Sequence, residues 1–86
     1  MTIEIIFYFG DLKQLKLTLT NVGNSVDRFV IIEPKKNAEG KQTPRYFFQQ
    51  ERYVEKYWPK IDYYLVDDIH SEEQINKILD RYTKTP

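Results

Sequence analysis

Residues 28–33 have the sequence Arg-Phe-Val-Ile-Ile-Glu, and this stretch decides the fold. A short apolar run that is rich in β-branched residues is typical of a strand buried on both faces, as in a parallel sheet. Pro34 follows and is expected to end the strand, because proline cannot donate a ladder hydrogen bond. The sequence therefore predicts a buried strand over Arg28–Glu33.

Two further strands are predicted on either side of this one along the chain. Ile3–Phe9 is short and almost continuously apolar, so it is also predicted to be covered on both faces. Ile61–Val66 is less apolar and is expected to lie nearer an edge of the sheet. Helical patterns follow each strand: residues 12–22, residues 45–57 and a last helix that begins near Ser71.

This alternation of strands and helices predicts an α/β fold with a small, three-stranded, mainly parallel sheet and helices on both faces. It corresponds to half of a Rossmann-like fold. Crossovers in parallel sheets are right-handed, so the strand order should be 3-2-1 or 2-1-3. We expect residues 1–86 to form a single domain, in which 3–69 are the βαβαβ unit and 70–86 are a C-terminal helix and tail.

Composition narrows the function classes. Thirteen basic and thirteen acidic residues give a formal net charge of zero, which disfavours nucleic acid and anionic membranes as partners. There are no cysteines, so a disulfide framework and a thiolate nucleophile are excluded. No signal peptide and no apolar run long enough to span a bilayer is present, so a cytoplasmic protein without a membrane partner is expected.

Several segments together resemble glycosyltransferase family 17, which includes the β-1,4-mannosyl-glycoprotein N-acetylglucosaminyltransferases. The segments, which match in order over residues 3–69, are Phe9-Gly10-Asp11-Leu12, Leu15/Leu17/Leu19, residues 26–33, Gly40-Lys41, Pro44-Arg45-Tyr46-Phe47 and residues 60–68. The resemblance implies a GT-A-like fold that binds a nucleotide-sugar donor. By resemblance, the residues that border the nucleotide are Phe9, Gly10, Asp11, Glu33, Gly40 and Lys41.

Asp67 and Asp68 end the third predicted strand and are candidates for a metal or ribose contact. Alternatively, they end the strand and favour the start of the helix at Ser71. Mn²⁺ or Mg²⁺ is expected only together with a bound nucleotide sugar. In the family these two residues precede the Asp-x-Asp metal motif, which would lie beyond residue 86. The resemblance therefore implies a truncated transferase-like domain that binds a nucleotide or nucleotide sugar at most, and whether it is an enzyme stays open.

Other interpretations stay open beside the resemblance. The domain could be a small non-enzymatic module, such as a viral or mobile-element inhibitor, that binds another protein. Open sheet edges predict a homodimer through edge pairing. The polar stretch Lys35–Pro44 is predicted to be a long, mobile loop, and its basic residues could grip a phosphate, although it contains no Gly-rich phosphate cradle.

Overall fold

The computed structural model describes residues 1–83. Its three strands are β1 (Ile3–Phe7), β2 (Arg28–Pro34) and β3 (Ile61–Val66). Its α-helices are α1 (Leu12–Val22), α2 (Tyr46–Gln50) and α3 (Glu72–Thr83), and a 3₁₀-helical segment (Glu51–Lys60) follows α2 directly. The predicted tail beyond Thr83 lies outside the described residues.

The strands form one parallel sheet in the order β1-β2-β3. The predicted α/β class with a three-stranded parallel sheet is confirmed, and the order is the first of the two that were predicted. In the register, Phe29 lies beside Glu4 on one side and beside Ile61 on the other. The central strand β2 is buried along nearly its whole length, as the apolar run predicts.

The two faces of the sheet carry separate cores, so helices cover both faces as predicted. Both crossovers step in the same direction, and right-handed crossovers then place α1 and α2 on one face. That face holds the larger core: Tyr8, Leu15, Leu19, Val26, Phe29, Ile31, Phe47 and Val54. The opposite face is covered by α3, through a smaller core of Val30, Ile32, Val66 and Ile78.

Several predicted boundaries are wrong. β1 ends at Phe7 rather than Phe9, and β2 continues through Pro34, which takes the register position opposite Val66. The helix predicted over 45–57 is α2 followed by the 3₁₀ segment, because the backbone at Val54 leaves the helical region with φ of −123°. The helical pattern of residues 45–57 therefore predicts the position of this covering layer but not its break.

The prediction that β1 is covered on both faces is also wrong. Ile5 and Phe7 are 42% and 45% exposed, although their neighbours Val30 and Ile32 on β2 are fully buried. The smaller core contains residues of α3, β2 and β3, with Ile3 of β1 only at its border. One helix thus covers two of the three strands on this face.

The stretch between β2 and α2 folds back on itself. An antiparallel bridge joins Lys36 to Gln42, and the Asn37 side-chain oxygen accepts hydrogen bonds from the backbone N–H groups of Glu39 and Lys41 at 2.9 and 3.0 Å. Thr43 N–H donates to the Lys35 carbonyl at 2.8 Å. The predicted loop is therefore a hydrogen-bonded turn, which Asn37 organises as an Asx-type turn. Among residues 1–83, no helix has the length and apolar character that crossing a membrane requires.

Candidate functional site at the carboxyl ends of the strands

Open α/β sheets bind ligands beyond the carboxyl ends of their strands, and this protein has a cleft there. The strand-end cleft has a volume of about 170 Å³ and is lined by Tyr8, Phe9, Glu33, Pro34, Lys36, Asn37, Thr43 and Tyr46. Of the residues predicted to border a nucleotide, Phe9 and Glu33 line the cleft. Asp11, Gly40 and Lys41 do not. Clefts that enclose drug-sized ligands usually measure about 300–1,000 Å³, so this one has room for a single ring or a small polar group.

Glu33 lies one residue before the end of β2, and its carboxylate is used inside the protein. The residue is 1% exposed. Its Oε2 accepts a hydrogen bond from the backbone N–H of Tyr46 at 2.7 Å, and its Oε1 accepts from the N–H of Phe47 at 3.2 Å and from the hydroxyl of Tyr63 at 2.6 Å. Arg45, at the N-cap of α2, makes no side-chain capping bond. Glu33 therefore caps α2 from a neighbouring strand.

An aromatic cluster surrounds this carboxylate. The ring of Phe47 stacks on Tyr63 with centroids 4.8 Å apart and meets the ring of Tyr8 edge-on at 6.2 Å. Burial, together with the negative charges of Glu33 and Asp11, raises the pKa of Tyr8 to about 12. Burial and the hydrogen bond to Glu33 also raise the pKa of Tyr63 above its usual value. Both phenols therefore stay neutral donors at physiological pH.

Gly10 lies in the turn between β1 and α1, pressed against Tyr46. Its φ is +100°, a conformation that favours glycine, and a Cβ at this position would lie 2.8 Å from Cγ of the Tyr46 ring. The close approach lets the β1–α1 turn and the start of α2 meet above β2. Gly10 thus acts in packing, and it brings Tyr46 into the wall of the cleft.

Asp11 caps α1. Its side-chain oxygen accepts a hydrogen bond from the Gln14 N–H at 3.0 Å. The α1 terminus in this turn therefore already has a carboxylate at the place where an anionic ligand would bind a helix N-terminus.

Gly40 and Lys41 lie in the turn that Asn37 organises, outside the cleft. Gly40 has φ of +79° and nothing within contact distance of an added Cβ. The Lys41 ammonium is highly exposed and lies 3.8 Å from the Glu39 carboxylate. Lys36 is the basic residue of this loop that reaches the cleft wall.

The carboxylates of Asp67 and Asp68 take part in the start of α3. Gln74 donates to Asp67 Oδ2 at 2.9 Å, and Lys35 lies 3.7 Å from its Oδ1. Asp68 Oδ1 accepts from the His70 N–H at 2.8 Å and from the Ser71 hydroxyl at 3.4 Å. Within residues 1–83, no three acidic or histidine side chains are grouped so that they could hold a metal ion.

The sequence alone predicts no role for Tyr8 or Tyr63, although both shape the site. Strand periodicity could have found them, because side chains two residues apart point to the same face. Tyr8 follows Ile6 on the face covered by α1, and Tyr63 lies beside Ile31 in the register. Tyr63 donates to Glu33, and Tyr8 lines the cleft together with Glu33. This arrangement depends on the register between strands, which the periodicity of a single strand does not specify.

Comparison with known proteins gives no relative for this arrangement: no family model, no curated protein and no solved structure matches the chain.

Proposed function

We propose that this protein is a small non-catalytic α/β module that acts by binding another protein chain. The observation that carries the proposal is the exposed apolar surface beside β1. We define the β1 surface as the side chains of Ile5, Phe7 and Phe9, which are 42%, 45% and 58% exposed. Apolar patches of this kind, when contiguous, are typical of protein interaction sites.

The acidic residues at the strand ends support the same proposal. A donor diphosphate needs cationic groups, free N–H groups or a metal ion. Glu33 and Asp11 place carboxylates at the starts of α2 and α1, and Asp67 and Asp68 bond to side chains and backbone at the start of α3. Each of these residues has a structural task that explains its presence without catalysis.

A nucleotide-sugar binding site is the second candidate, in which the strand-end cleft would hold one ring of the ligand. The aromatic side chains of Phe9 and Tyr46 line the cleft, with Lys36 and Asn37 beside them. Aromatic rings and a few polar groups suit a sugar or a base. The resemblance to glycosyltransferase family 17 implies such a ligand, and Mn²⁺ or Mg²⁺ would then enter with the donor diphosphate.

A titration separates the two proposals. Uridine and guanosine diphosphate sugars are added with Mn²⁺ to the purified protein, and the melting temperature is followed. A ligand at 100 times its Kd stabilises the folded state by about 2.7 kcal/mol, which shifts the melting of a small domain by several degrees. Protein binding as the main function predicts no shift with any donor.

A shift with one donor would overturn that proposal in favour of the second candidate. Lys36→Ala should then abolish the shift, because Lys36 lines the cleft, whereas Lys41→Ala should keep it, because Lys41 lies outside the cleft. Donor turnover that disappears in Asp67→Ala or Asp68→Ala would contradict the non-catalytic assignment.

A further inference from the structure

The outer side of β1 is an open sheet edge in the part of the chain that the structure describes. The carbonyl of Thr2 and the N–H of Tyr8 bond to β2, accepting from Arg28 at 3.3 Å and donating to Ile32 at 2.9 Å. Alternate residues of a parallel strand bond to the same neighbour, so the even-numbered residues serve β2. The N–H and C=O groups of Ile3, Ile5 and Phe7 therefore point to the open edge.

Side chains of the same residues make this edge apolar. Ile5 and Phe7 share one face, beside Val30 and Ile32, and Phe9 follows them in the chain. The segment from Ile3 to Phe9 contains one charged residue, Glu4, and neither lysine nor proline. Natural edge strands are usually protected from pairing by charged residues, especially lysine, by proline or by a bulge.

The other edge of the sheet differs. β3 carries Asp62 on the face of α3, where Tyr82 donates to its Oδ2 at 2.7 Å and the Arg28 guanidinium lies 3.8 Å away. Pro59 precedes β3 by two positions. An inward-pointing charge and a nearby proline are both devices that discourage edge pairing. The β1 edge is therefore the less protected of the two edges against pairing with another strand.

On the proposed function, in which the β1 surface binds a protein chain, we infer that this chain is a second copy, paired antiparallel through β1 with Ile5 opposite Ile5 of the copy. Residues whose N–H and C=O groups point to the open edge bond to residues of the same kind in the copy. With Ile5 opposite Ile5, Ile3 therefore lies opposite Phe7 of the copy. The whole of β1 is paired in this register, and every cross-strand pair of edge-facing residues is apolar.

Charge disfavours one of the two neighbouring registers. A shift of the copy by two residues toward the N-terminus would place Glu4 opposite Glu4, and like charges directly opposite each other are destabilising. With Ile5 on the two-fold axis, Glu4 lies opposite Ile6 instead. The two sheets then join into one, and the half-exposed side chains of Ile5 and Phe7 gain apolar neighbours.

Single cysteines test the register, because the protein has none of its own. In Ile5→Cys, the two thiols lie on a directly opposed pair with Cα atoms about 5.5 Å apart, within the range that a disulfide spans. Mild oxidation should yield a covalent dimer. In Phe7→Cys the thiols are four residues out of register, which offsets them by roughly 13 Å along the strands, and they should not cross-link.

Glu4→Cys and Ile6→Cys report the two neighbouring registers, and Leu17→Cys is an exposed control on α1. A disulfide dimer of Glu4→Cys or Ile6→Cys that exceeds that of Ile5→Cys would overturn the assignment. So would equal cross-linking at Leu17, because it would indicate random collision.

Sedimentation without cross-linking tests the dimer itself. The wild-type protein should show a dimer whose population rises with concentration. Ile5→Pro should abolish it, since the Ile5 N–H points to the open edge and proline is tolerated there within the monomer. Ile5→Lys should do the same by placing a charge on the edge, and Leu17→Lys should remain dimeric.

A wild-type protein that is monomeric at all concentrations would overturn the dimer but not the proposed function, since another protein could still bind the β1 surface. A donor-dependent melting shift would overturn the proposed function, whereas the dimer is judged separately, from cross-linking and sedimentation of the protein without donor. The two failures are therefore distinguishable.

Discussion

Glu33 joins three elements through one side chain, because its carboxylate binds two N–H groups of α2 and the hydroxyl of Tyr63 on β3. In Glu33→Gln, one oxygen becomes an NH₂ group that faces donors, so a buried N–H loses its acceptor. We expect the free energy of unfolding to fall by about 2–4 kcal/mol. Urea denaturation followed by circular dichroism measures it.

Glu39→Gln is the matched control, because Glu39 is an exposed loop carboxylate and its loss should change stability by less than about 0.5 kcal/mol. Equal stability of Glu33→Gln and wild type would show that the carboxylate is available to a ligand rather than committed to α2.

Gly10 and Gly40 both have positive φ, but only Gly10 is crowded. Gly40→Ala should lose about 1 kcal/mol from backbone strain alone. Gly10→Ala should lose more, because its methyl group meets the Tyr46 ring. If the extra loss comes from this contact, Tyr46→Ala in the same chain should remove it, which a double-mutant cycle measures. Equal losses for the two alanine variants would contradict the tight packing.

Tyr8 should make stability depend on pH in the alkaline range. Its pKa is raised from 10.0 to about 12 in the folded protein, so the folded state holds the proton more tightly than the unfolded chain does. This contribution is fully present below about pH 10, the pKa of an unperturbed tyrosine, and is lost as pH rises through the folded pKa.

Tyr8→Phe should therefore be less stable than wild type at neutral pH, by about 1 kcal/mol for the lost hydrogen bond to Gln50. The difference should shrink above about pH 10. Tyr53→Phe, at a half-exposed position, serves as the control. Denaturation curves at several pH values give the comparison, and a constant difference would contradict the burial of the Tyr8 phenol.

At the scale of elements, α3 provides a matched pair of aliphatic side chains. Ile78 is 8% exposed and packs with Val30, Ile32 and Val66, whereas Leu79 is partly buried and lies outside that core. Ile78→Ala should lose about 2–4 kcal/mol of stability, and Leu79→Ala clearly less. Thermal or urea unfolding provides the measurement. Similar losses would mean that α3 is rotated about its axis relative to the sheet.

The same helix shows what sequence can predict about an element. The apolar positions predict α3, and Ser71 and Gln74 predict its start from their capping-box spacing. The start is confirmed, but the Gln74 side chain bonds to Asp67 instead of turning back to Ser71. Hydrogen bonds between an element and the preceding strand depend on tertiary placement, which spacing within the helix does not specify.

The layer between β2 and β3 was harder to predict for a related reason. Its aromatic pattern is helical, but the backbone breaks at Val54, and the Trp58 indole N–H donates to the Glu51 carbonyl at 2.9 Å. Val54 is buried at the break and packs in the main core. Pro59, near the end of the segment, is the residue whose type disfavours a continuous helix, and it lies five positions after the break.

At the scale of the whole molecule, the strand order explains which surfaces are covered. The sequence predicts three parallel strands but not whether β1 or β2 is central. With β2 in the centre, both crossover connections lie on one face of the sheet. Among the described residues, α3 is the helix that covers the other face. The exposure of Ile5 and Phe7 follows from this one topological choice. An apolar run alone cannot predict it, because a buried strand and an uncovered one have the same composition.

Phe9 is shared by two surfaces, since it belongs to the β1 surface and also lines the strand-end cleft. If a chain packs on the β1 surface and a ligand enters the cleft, both would contact Phe9. The occupancy of one place would then change the free energy of occupying the other, and by thermodynamic reciprocity the coupling would be equal in both directions. Through this one aromatic side chain, the proposed assembly and a ligand in the cleft would be coupled.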